Sequence, residues 1–505
     1  MADEGAQLIE GQQPTIYTLY IQGGGMKGII PLTVLARLEE LTGQSPVDLF
    51  QVMEGSSVGA FLVAGMNIRD PDDPDKAKYT MKDGLQLFVE TTPQIFPDKG
   101  LRTLKMATDQ VFDGLAEASE EINTDIEEWA NTDVIDNPDG DTLTSGFNGL
   151  ATGAKWLAGG IPYASLELFQ WIRPDWEPEE YMFEQKDIRN VYESVLGKDT
   201  KLSDCRNVIH MPVYDAMTKK INFLSCRNGV SSHDITMADA AVAASANNFI
   251  VELFAREDVV HRNEDGTTYT KDVAWLDPAM VHIPTGHNIE ANRITGEMPP
   301  MKLVEMTVNS RGSYFSDEWY HEADTGASAA FNWAADTING DLQNLEGLSP
   351  KEVQDEYYKA GGIWGAFEGG LKDFQNHINQ VHDMNKNSPL GPDDRIMIGP
   401  VKSQTDEPSF LQAQDASPET IDQILDYAGQ TIQTQNDAIT NLAYELVENI
   451  HLMGRITDQE YEDIKTRIDQ SPLEKSTLPQ FLKEISPLQE KPTTPQIEVA
   501  PATPS

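Results

Sequence analysis

The chain has 505 residues, of which 39% are hydrophobic, so it can form a buried core in one large domain with an appendage or in two to three ordinary domains. Its formal net charge is −45, from 82 acidic and 37 basic residues, which argues against binding of nucleic acid and against recruitment to anionic membranes by a basic patch. No window has the roughly 18 to 20 uninterrupted apolar residues of a transmembrane helix, and the acidic N-terminus is unlike a signal peptide.

The two cysteines, Cys205 and Cys226, bear on the compartment in which the chain folds. Two are too few for a disulfide scaffold and lack the spacing of a metal site, so we expect both to be small core residues. Together with the N-terminus, this predicts synthesis and folding in a reducing cytoplasm, with export without a cleavable signal left open. The acidic surplus indicates a well-hydrated surface or, alternatively, a basic partner.

The first element in chain order is a strand that leads into a cluster of glycines. Apolar side chains alternate along residues 16–21, which predicts a β-strand, and apolar residues from Ile29 onward have helical spacing up to a stop at Gly43. Between them lie Gly23, Gly24, Gly25 and Gly28. Backbone N–H groups at such a strand-to-helix turn can bind negative charge, so we predict that this loop forms an oxyanion hole.

A second glycine group follows about thirty residues later. Residues 47–53 are mostly apolar and predict a second strand that leads into Gly55-Ser56-Ser57-Val58-Gly59, and an apolar helix is expected from Ala60. In a G-x-S-x-G elbow, the two glycines allow a strained turn that exposes the central serine. Each motif alone is common by chance, but both together, each between a strand and a helix, predict that Ser57 is a nucleophile.

At these residues the chain resembles the patatin-like phospholipases, a family of lipid acyl hydrolases. The first family motif is usually D-G-G-G-x-R-G, and here Gln22 and Lys27 replace its Asp and Arg while every glycine is kept. The resemblance implies a three-layer α/β/α fold with a mostly parallel central sheet, and a serine–aspartate dyad. Lys27 is expected either to orient the loop by a hydrogen bond to a carbonyl or to be solvated.

Residues 98–180 form an insertion that is longer than the family usually carries. Within it, residues 146–171 are rich in aromatic and apolar side chains and almost free of charge, including Trp156 and Trp171. They are expected to pack as a helix pair on the core or, alternatively, to form a lid that contacts lipid and makes peripheral membrane contact possible. An activating protein partner that opens this lid is a further hypothesis.

The resemblance resumes at residue 188 and includes a small-residue helix over residues 237–246, which is expected to pack beside the elbow. Residues 273–276 form an apolar strand that ends at Asp277. The family's third motif is D-G-G or D-G-A, and the resemblance makes Asp277 the partner of Ser57. Pro278 replaces the glycine, so the loop after Asp277 must follow a different path.

The similarity extends to about residue 430, where Ser417 and Pro418 are expected to begin the family's closing helix. The predicted organisation is therefore a flexible N-terminus over 1–13, a catalytic domain over 14–430, a helical extension over 431–487, and a disordered Pro/Thr-rich tail over 488–505.

The predicted chemistry is acyl-ester hydrolysis on a phospholipid or lysophospholipid, with Asp277 as the base for Ser57 and with no metal or organic cofactor. Two alternatives stay open. One is an inactive binding protein with the same fold, which Gln22 and Pro278 suggest. The other is a Ser-His-Asp esterase for soluble esters, in which His282 or His287 would be the base.

Overall fold

The computed structural model describes residues 13–96, 185–246, 251–263, 265–278, 284–309, 348–357, 388–401, 404, 408 and 415–488. The predicted insertion 98–180 with its apolar stretch 146–171, the first twelve residues, the tail from 489 onward and His282 lie outside the described residues. The hypotheses about the lid, an activating partner and the domain boundaries stay predictions.

In the described residues, nine strands form one mixed sheet. The strands are β1 Ile16–Ile21, β2 Val52–Gly55, β3 Val208–Asp215, β4 Lys220–Arg227, β5 Val230–Ser231, β6 Phe254–Arg262, β7 Thr268–Leu276, β8 Met301–Met306 and β9 Arg395–Ile398. Their order is β5-β4-β3-β2-β1-β8-β9, and β7 pairs with both β3 and β6. The five strands from β3 to β9 in this order are parallel, so the predicted parallel sheet is confirmed.

Helices cover both faces of the parallel strands. They are α1 Ile29–Thr42, α2 Pro46–Leu49, α3 Val58–Met66, α4 Met81–Ile95, α5 Gln185–Leu196, α6 Met237–Ala244, α7 Gly286–Ala291, α8 Pro350–Tyr357, α9 Pro418–Thr434, α10 Asn436–Leu452, α11 Asp458–Gln470 and α12 Leu478–Glu484. Leu19 and Ile21 of β1 face the large hydrophobic core, which α1, α3 and α4 share, whereas α7 packs against β2 and β8. Strands buried on both faces are typical of such α/β layers.

The helices beyond residue 430 contribute to the same hydrophobic core as the sheet. Leu446 of α10, Ile464 of α11 and Leu482 of α12 are buried in it, and α1 contacts all three helices. The helix that begins at Ser417 is as predicted, since the Ser417 side chain accepts a hydrogen bond from the Thr420 N–H. None of the helices in the described ranges combines the length and apolar composition needed to cross a bilayer.

Two sequence predictions need correction. Residues 47–53 are not one strand, because Pro46–Leu49 form a helical turn and only Val52–Gly55 join the sheet. Cys205 and Cys226 are buried as expected, but a disulfide joins them with their Cα atoms 6.5 Å apart. The two cysteines are 21 residues apart in the sequence. The turn at 202–204 packs against β4 and so brings them together, which no local sequence pattern indicates. The cysteines therefore no longer support folding in a reducing compartment.

Candidate active site

Ser57 lies at the sharp turn between β2 and α3. Its φ is +53° and its ψ is −129°, a conformation that residues other than glycine rarely adopt. Ser57 is half-buried, whereas every other residue from 52 to 64 is buried, and its side chain does not cap α3. The turn thus has the features of a nucleophile elbow, which projects a serine hydroxyl from a packed strand–helix unit.

Gly55 and Gly59 are required by the close approach of main-chain atoms at this turn. A Cβ at Gly55 would lie 2.3 Å from the Gly59 carbonyl oxygen, and a Cβ at Gly59 would lie 2.2 Å from the Ile21 carbonyl oxygen. Real Cβ atoms do not come so near to other atoms, and main chain on both sides cannot move aside cheaply. The motif therefore encodes the packing of α3 against β1 and β2.

The C-terminal end of α6 binds the main chain at both Ser57 and Asp277. The Ser57 N–H donates to the Ala244 carbonyl oxygen at 3.0 Å, and the Ser245 hydroxyl donates to the Ser57 carbonyl oxygen at 3.0 Å. The Asp277 N–H donates to the Ala246 carbonyl oxygen, also at 3.0 Å. Three successive residues of this small-residue segment therefore bind the main chain of both residues that the sequence prediction pairs.

The strand register brings the same two residues to one edge of β3. β2 pairs with residues 208–210 of β3, and β7 pairs with residues 214 and 215. Only residues 211–213 lie between these contacts, about 10 Å of strand. Because β7 is antiparallel to β3, its chain leads back toward the end of β2. Asp277, which follows β7, and Ser57, which follows β2, therefore approach each other from opposite directions.

Replacing Ser245 by alanine is expected to loosen the elbow, since the Ser245 hydroxyl also lies 3.1 Å from the hydroxyl of buried Tyr192. The change leaves the Ser57 carbonyl and the Tyr192 hydroxyl without this partner, so the free energy of unfolding should fall by about 1–3 kcal/mol. The rate at which Ser57 reacts with a fluorophosphonate should fall as well. Tyr192→Phe keeps the bond to Ser57, and an equal loss of reactivity in both variants would contradict this role of Ser245.

The glycine loop begins a helical segment, as predicted. Gly24 precedes a 3₁₀ turn over Gly25–Gly28 that continues directly into α1, and Gly25 has a φ of +54°. A Cβ at Gly24 would lie 2.8 Å from a methyl carbon of Val308. Gly23 and Gly24 are half-buried, so main chain rather than side chains lines this part of the site.

Gln22 and Lys27, the two departures from the family motif, attach the loop to the segment that follows β8. The Gln22 Oε1 accepts a hydrogen bond from the Val308 N–H at 2.9 Å, and the Lys27 Nζ donates to the Asn309 Oδ1 at 2.8 Å. Lys27 is buried, so the solvated alternative is wrong, and a side-chain amide oxygen supplies the expected carbonyl. Both departures therefore have a structural role that fixes the loop.

Glu54, immediately before the elbow, binds the chain where it returns after Asp277. Its Oε2 accepts hydrogen bonds from the N–H groups of Thr285 and Gly286, at 3.0 and 2.5 Å. A Cβ at Gly286 would lie 2.8 Å from the same oxygen. Pro278 is buried, and residues 279–283 after it lie outside the described residues. The chain that follows the altered third motif thus binds to β2, the strand that leads to Ser57.

The described histidine candidate does not contact Ser57 through a hydrogen bond. The Nε2 of His287 lies 3.0 Å from the Ser388 hydroxyl, and its Nδ1 has no hydrogen-bond partner among the described residues. Burial lowers the pKa of His287 to about 4, so the ring is neutral at neutral pH. The structure therefore adds nothing to the alternative in which His287 is the base.

Two buried tyrosines near the candidate site, Tyr20 and Tyr192, have raised pKa values. Burial raises the pKa of Tyr20, whose hydroxyl lies 3.1 Å from the Ser56 Oγ, and the charges of Glu305, Glu54 and, least of the three, Asp277 raise it further. Burial also raises the pKa of Tyr192, with a contribution from Asp277. Both phenols stay protonated, so they are hydrogen-bonding groups rather than bases at neutral pH.

A histidine pair beside β7 predicts acid sensitivity. The rings of His233 and His261 lie 4.3 Å apart, and both contact Trp275, two residues before Asp277. Burial lowers the pKa of His233 to about 3, with smaller effects of His261 and Lys271. Between the unfolded value near 6.5 and about 3, the unfolded chain binds a proton that the folded chain does not, so stability falls as the pH falls through this window.

Because of His233, the free energy of unfolding should fall by up to about 1.4 kcal/mol for each unit by which the pH is lowered in this window. Urea unfolding in neutral and in mildly acidic buffer measures this slope. His233→Gln should reduce the slope, and an unchanged slope would contradict the assignment.

Several residues that shape the site carry no recognisable motif. Ser245, Glu54 and Asn309 act through buried contacts that only the fold brings together. The sequence contains only weak signals for them. Glu54 is an acid directly before G-x-S-x-G, and Ser245 is the one hydroxyl residue in the small-residue segment 237–246.

Comparison with known proteins identifies relatives over part of the chain, although no family model matches it. Patatin-like protein 2 of Oryza sativa subsp. indica is 32% identical over 124 residues, which are 22% of this chain and 30% of that protein. Patatin-like protein 3 of Arabidopsis thaliana is 37% identical over 98 residues, 17% of this chain and 22% of that protein. Patatin-T5 of Solanum tuberosum is 34% identical over 97 residues, 18% of this chain and 24% of that protein.

The comparison with solved structures gives long but loose superpositions. VipD from Legionella pneumophila aligns over 95% of this chain and 93% of its own, with 13% identity and a TM-score of 0.21. A chain of the full-length SpcU–ExoU complex of Pseudomonas aeruginosa aligns over 90% of this chain and 91% of its own, with 11% identity and a TM-score of 0.21. Likeness at this level carries no conclusion about function.

The chain matches less than a third of the length of each of these curated relatives. Its glycine loop, serine elbow and mostly parallel sheet are those expected from the sequence resemblance. Over the matched part, about a fifth of its length, the chain is similar to the patatin-like proteins.

Proposed function

We propose that the chain is a serine acyl-ester hydrolase that acts on phospholipids or lysophospholipids, with Ser57 as the nucleophile and Asp277 as its base. The observation that carries the proposal is the segment 244–246, which hydrogen-bonds Ser57 on one side and Asp277 on the other. A serine hydroxyl is a weak nucleophile at neutral pH and needs such a neighbouring base. The class of substrate is the one that the sequence resemblance to the patatin-like phospholipases implies.

In the proposed reaction, Asp277 accepts the proton of the Ser57 hydroxyl while Oγ attacks the ester carbonyl carbon. The carbonyl oxygen gains negative charge, and backbone N–H groups of the Gly23–Gly25 loop and of Gly28 stabilise it, at about 3 kcal/mol for each donor. The proton on Asp277 then passes to the departing alcohol, which leaves an acyl-Ser57 ester. Asp277 next removes a proton from water, which attacks the ester carbonyl carbon, and the proton returns from Asp277 to the Ser57 Oγ as the fatty acid is released.

The arrangement of the loop supports this role for the backbone donors. Gly25–Gly28 form the turn that opens α1, so the partial positive charge of the helix N-terminus adds to the local N–H groups. Gln22 and Lys27 hold the loop to the segment after β8, which keeps the donors in place before the reaction. Preorganised donors of this kind require little rearrangement in the transition state.

Labelling with a fluorophosphonate probe tests the nucleophile. Wild-type protein is expected to acquire one phosphonyl adduct on the peptide that contains Ser57, and Ser57→Ala is expected to acquire none. Failure of the folded wild-type protein to label under any lipid or detergent condition would contradict the proposal and favour an inactive binding protein.

The histidine-dependent alternative is tested with the same probe and with a soluble ester. If His287 were the base, His287→Ala would abolish both reactions and Asp277→Asn would only weaken them. The dyad predicts the reverse order of effects. Hydrolysis of lipid micelles in parallel separates a lipid hydrolase from an esterase of soluble substrates.

A further inference from the structure

A polar pocket of about 340 Å³ lies at the end of the sheet opposite to Ser57. This volume is within the ~300–1,000 Å³ range of small-molecule sites. Asp48 of α2 precedes β2, and Arg206 and Asn207 precede β3, so the pocket lies at the amino ends of two parallel strands. Ser57 follows the carboxyl end of β2. The pocket is therefore separate from the candidate active site.

Three segments that are distant in the sequence form this pocket. Gln44 and Asp48 belong to the connection between α1 and β2, Arg206 precedes β3, and Arg455 follows α10. The apolar part of the lining consists of Val47, Ile450 and Ile456. A lining of charged, amide and apolar side chains suits a ligand that has a charged group on a small carbon frame.

Two arginines make the lining cationic in a chain that is strongly acidic. Among the described residues that line the pocket, Arg206 and Arg455 are basic and Asp48 alone is acidic, which leaves one positive charge. The whole chain has a net charge of −45. Burial raises the pKa of the Asp48 carboxyl, and the charges of Arg206 and Arg455 oppose this effect. Both guanidinium groups therefore lie close enough to act on one carboxyl group.

Arg206 has a hydrogen-bond donor without a partner among the described residues. The Arg206 side chain is only 9% exposed, and its Nη2 donates to the Asp48 Oδ1 at 3.0 Å and to the Asp75 carbonyl oxygen. The Nη1 of the same guanidinium group is buried and makes no hydrogen bond within the described part of the chain. A buried, unpaired donor of a charged group is costly, so an anion that accepts from Nη1 would stabilise the folded protein.

Hydrogen bonds to carbonyl groups of α2 hold the pocket together. The Arg455 Nη1 donates to the Asp48 carbonyl oxygen at 3.1 Å, so both arginines are attached to the same residue. The Asn207 Nδ2 donates to the Val47 carbonyl oxygen at 3.1 Å, which fixes the start of β3 to α2. Side chains that are already ordered lose little conformational entropy when a ligand binds.

We propose that this pocket binds a phosphate monoester, with Arg206 and Arg455 as its anion-binding groups. A phosphate monoester carries about −1.5 to −2 charges at neutral pH and has three strongly accepting oxygens. One arginine is enough for the two oxygens of a carboxylate, whereas a phosphate has acceptors for two arginines on separate segments. Gln44 and the apolar side chains of the lining then contact the carbon frame. This site does not depend on the proposed hydrolase function.

Isothermal titration calorimetry of the full chain with glycerol 3-phosphate tests the site. The wild-type protein is expected to bind this compound and not glycerol. Arg455→Gln changes an exposed side chain and should weaken the binding by about tenfold or more, because one charge-assisted contact is lost. Arg206→Lys keeps the positive charge but loses the second donor nitrogen, and it should weaken the binding by a similar factor. No binding by the folded wild type, or tighter binding of succinate, would overturn the proposal.

Arg256→Gln is the matched control for the loss of charge. Arg256 lies in β6 and pairs with Asp239 at 2.8 Å, so this change also removes an arginine from an ion pair. Its affinity for glycerol 3-phosphate should stay close to that of the wild type. Equal losses of affinity in Arg256→Gln and Arg455→Gln would mean that only the net charge matters, and they would overturn the proposal.

Vesicles distinguish the two sources of a phosphate monoester. Co-sedimentation with vesicles that contain phosphatidic acid, reversed by glycerol 3-phosphate, would identify the ligand as a lipid headgroup. Binding of glycerol 3-phosphate without co-sedimentation would identify it as a small soluble ester. The net charge of −45 predicts the soluble ester, since an acidic chain is repelled by anionic membranes. Both results uphold the site, and binding of neither probe would overturn it.

Discussion

Asp277→Asn is expected to lower kcat for ester hydrolysis by about 10²–10⁴-fold, which corresponds to about 3–5 kcal/mol of activation free energy. The asparagine keeps the size of the side chain and the main-chain bond from residue 277 to the Ala246 carbonyl oxygen. It removes the negative charge and, with it, the ability to accept and return the proton. The measurement is steady-state hydrolysis of a lysophospholipid, with circular dichroism to show that the fold is retained.

Asp48→Asn is a matched control for this change. Asp48 lies in α2 at the amino end of β2, whereas Ser57 follows the carboxyl end of the same strand. Its carboxylate pairs with Arg206 at 3.0 Å, so the control also removes a carboxylate charge from a partly buried position. Hydrolysis by Asp48→Asn should stay close to that of the wild type. Near-normal hydrolysis by Asp277→Asn would mean that another group is the base.

Gly59→Ala is expected to lower the free energy of unfolding by about 3 kcal/mol or more and to abolish labelling of Ser57. The new Cβ would lie 2.2 Å from the Ile21 carbonyl oxygen and 2.9 Å from its carbonyl carbon. β1 cannot move away, because β2 and β8 pair with it on its two sides. The strain must therefore displace α3 and with it the turn that holds Ser57. Urea unfolding and the rate of fluorophosphonate labelling measure the two effects.

Gly65→Ala provides the contrast within the same helix. A Cβ at Gly65 meets no atom within 4 Å, so the change should stabilise the protein by about 0.5–1 kcal/mol, as expected for glycine to alanine in a helix. The same substitution six positions apart would then change the free energy of unfolding in opposite directions. This would show that contact with β1, rather than helix propensity, requires glycine at position 59. Equal stabilities of the two variants would contradict the geometry of the elbow.

The sequence predicts those parts of the fold that local patterns encode. Three features depend only on residues close together in the sequence, and the structure has all three. They are the alternation along β1, the glycines on either side of Ser57 and the helix cap at Ser417. The strained φ of Ser57 follows from the same local pattern, because a G-x-S-x-G sequence tolerates it.

Contacts between distant segments could not be predicted in this way. The disulfide between Cys205 and Cys226 depends on how a short turn packs against β4. The bond from Lys27 to Asn309 joins residues 282 positions apart, and no local pattern encodes such a partner. The sequence also places Asp277 at a strand end correctly without indicating that β7 is antiparallel to β3. Long-range pairing of this kind is a property of the folded chain as a whole.

The central claim is that Ser57 carries out acyl transfer on a lipid ester. The measurement that tests it most directly is the release of free fatty acid from phospholipid and lysophospholipid micelles by wild-type protein and by folded Ser57→Ala, with each lipid class quantified by mass spectrometry. We expect release by the wild type and a fall to the uncatalysed background in Ser57→Ala. Equal release by the two proteins, or none by a wild-type protein that is folded and exposed to lipid, would contradict it.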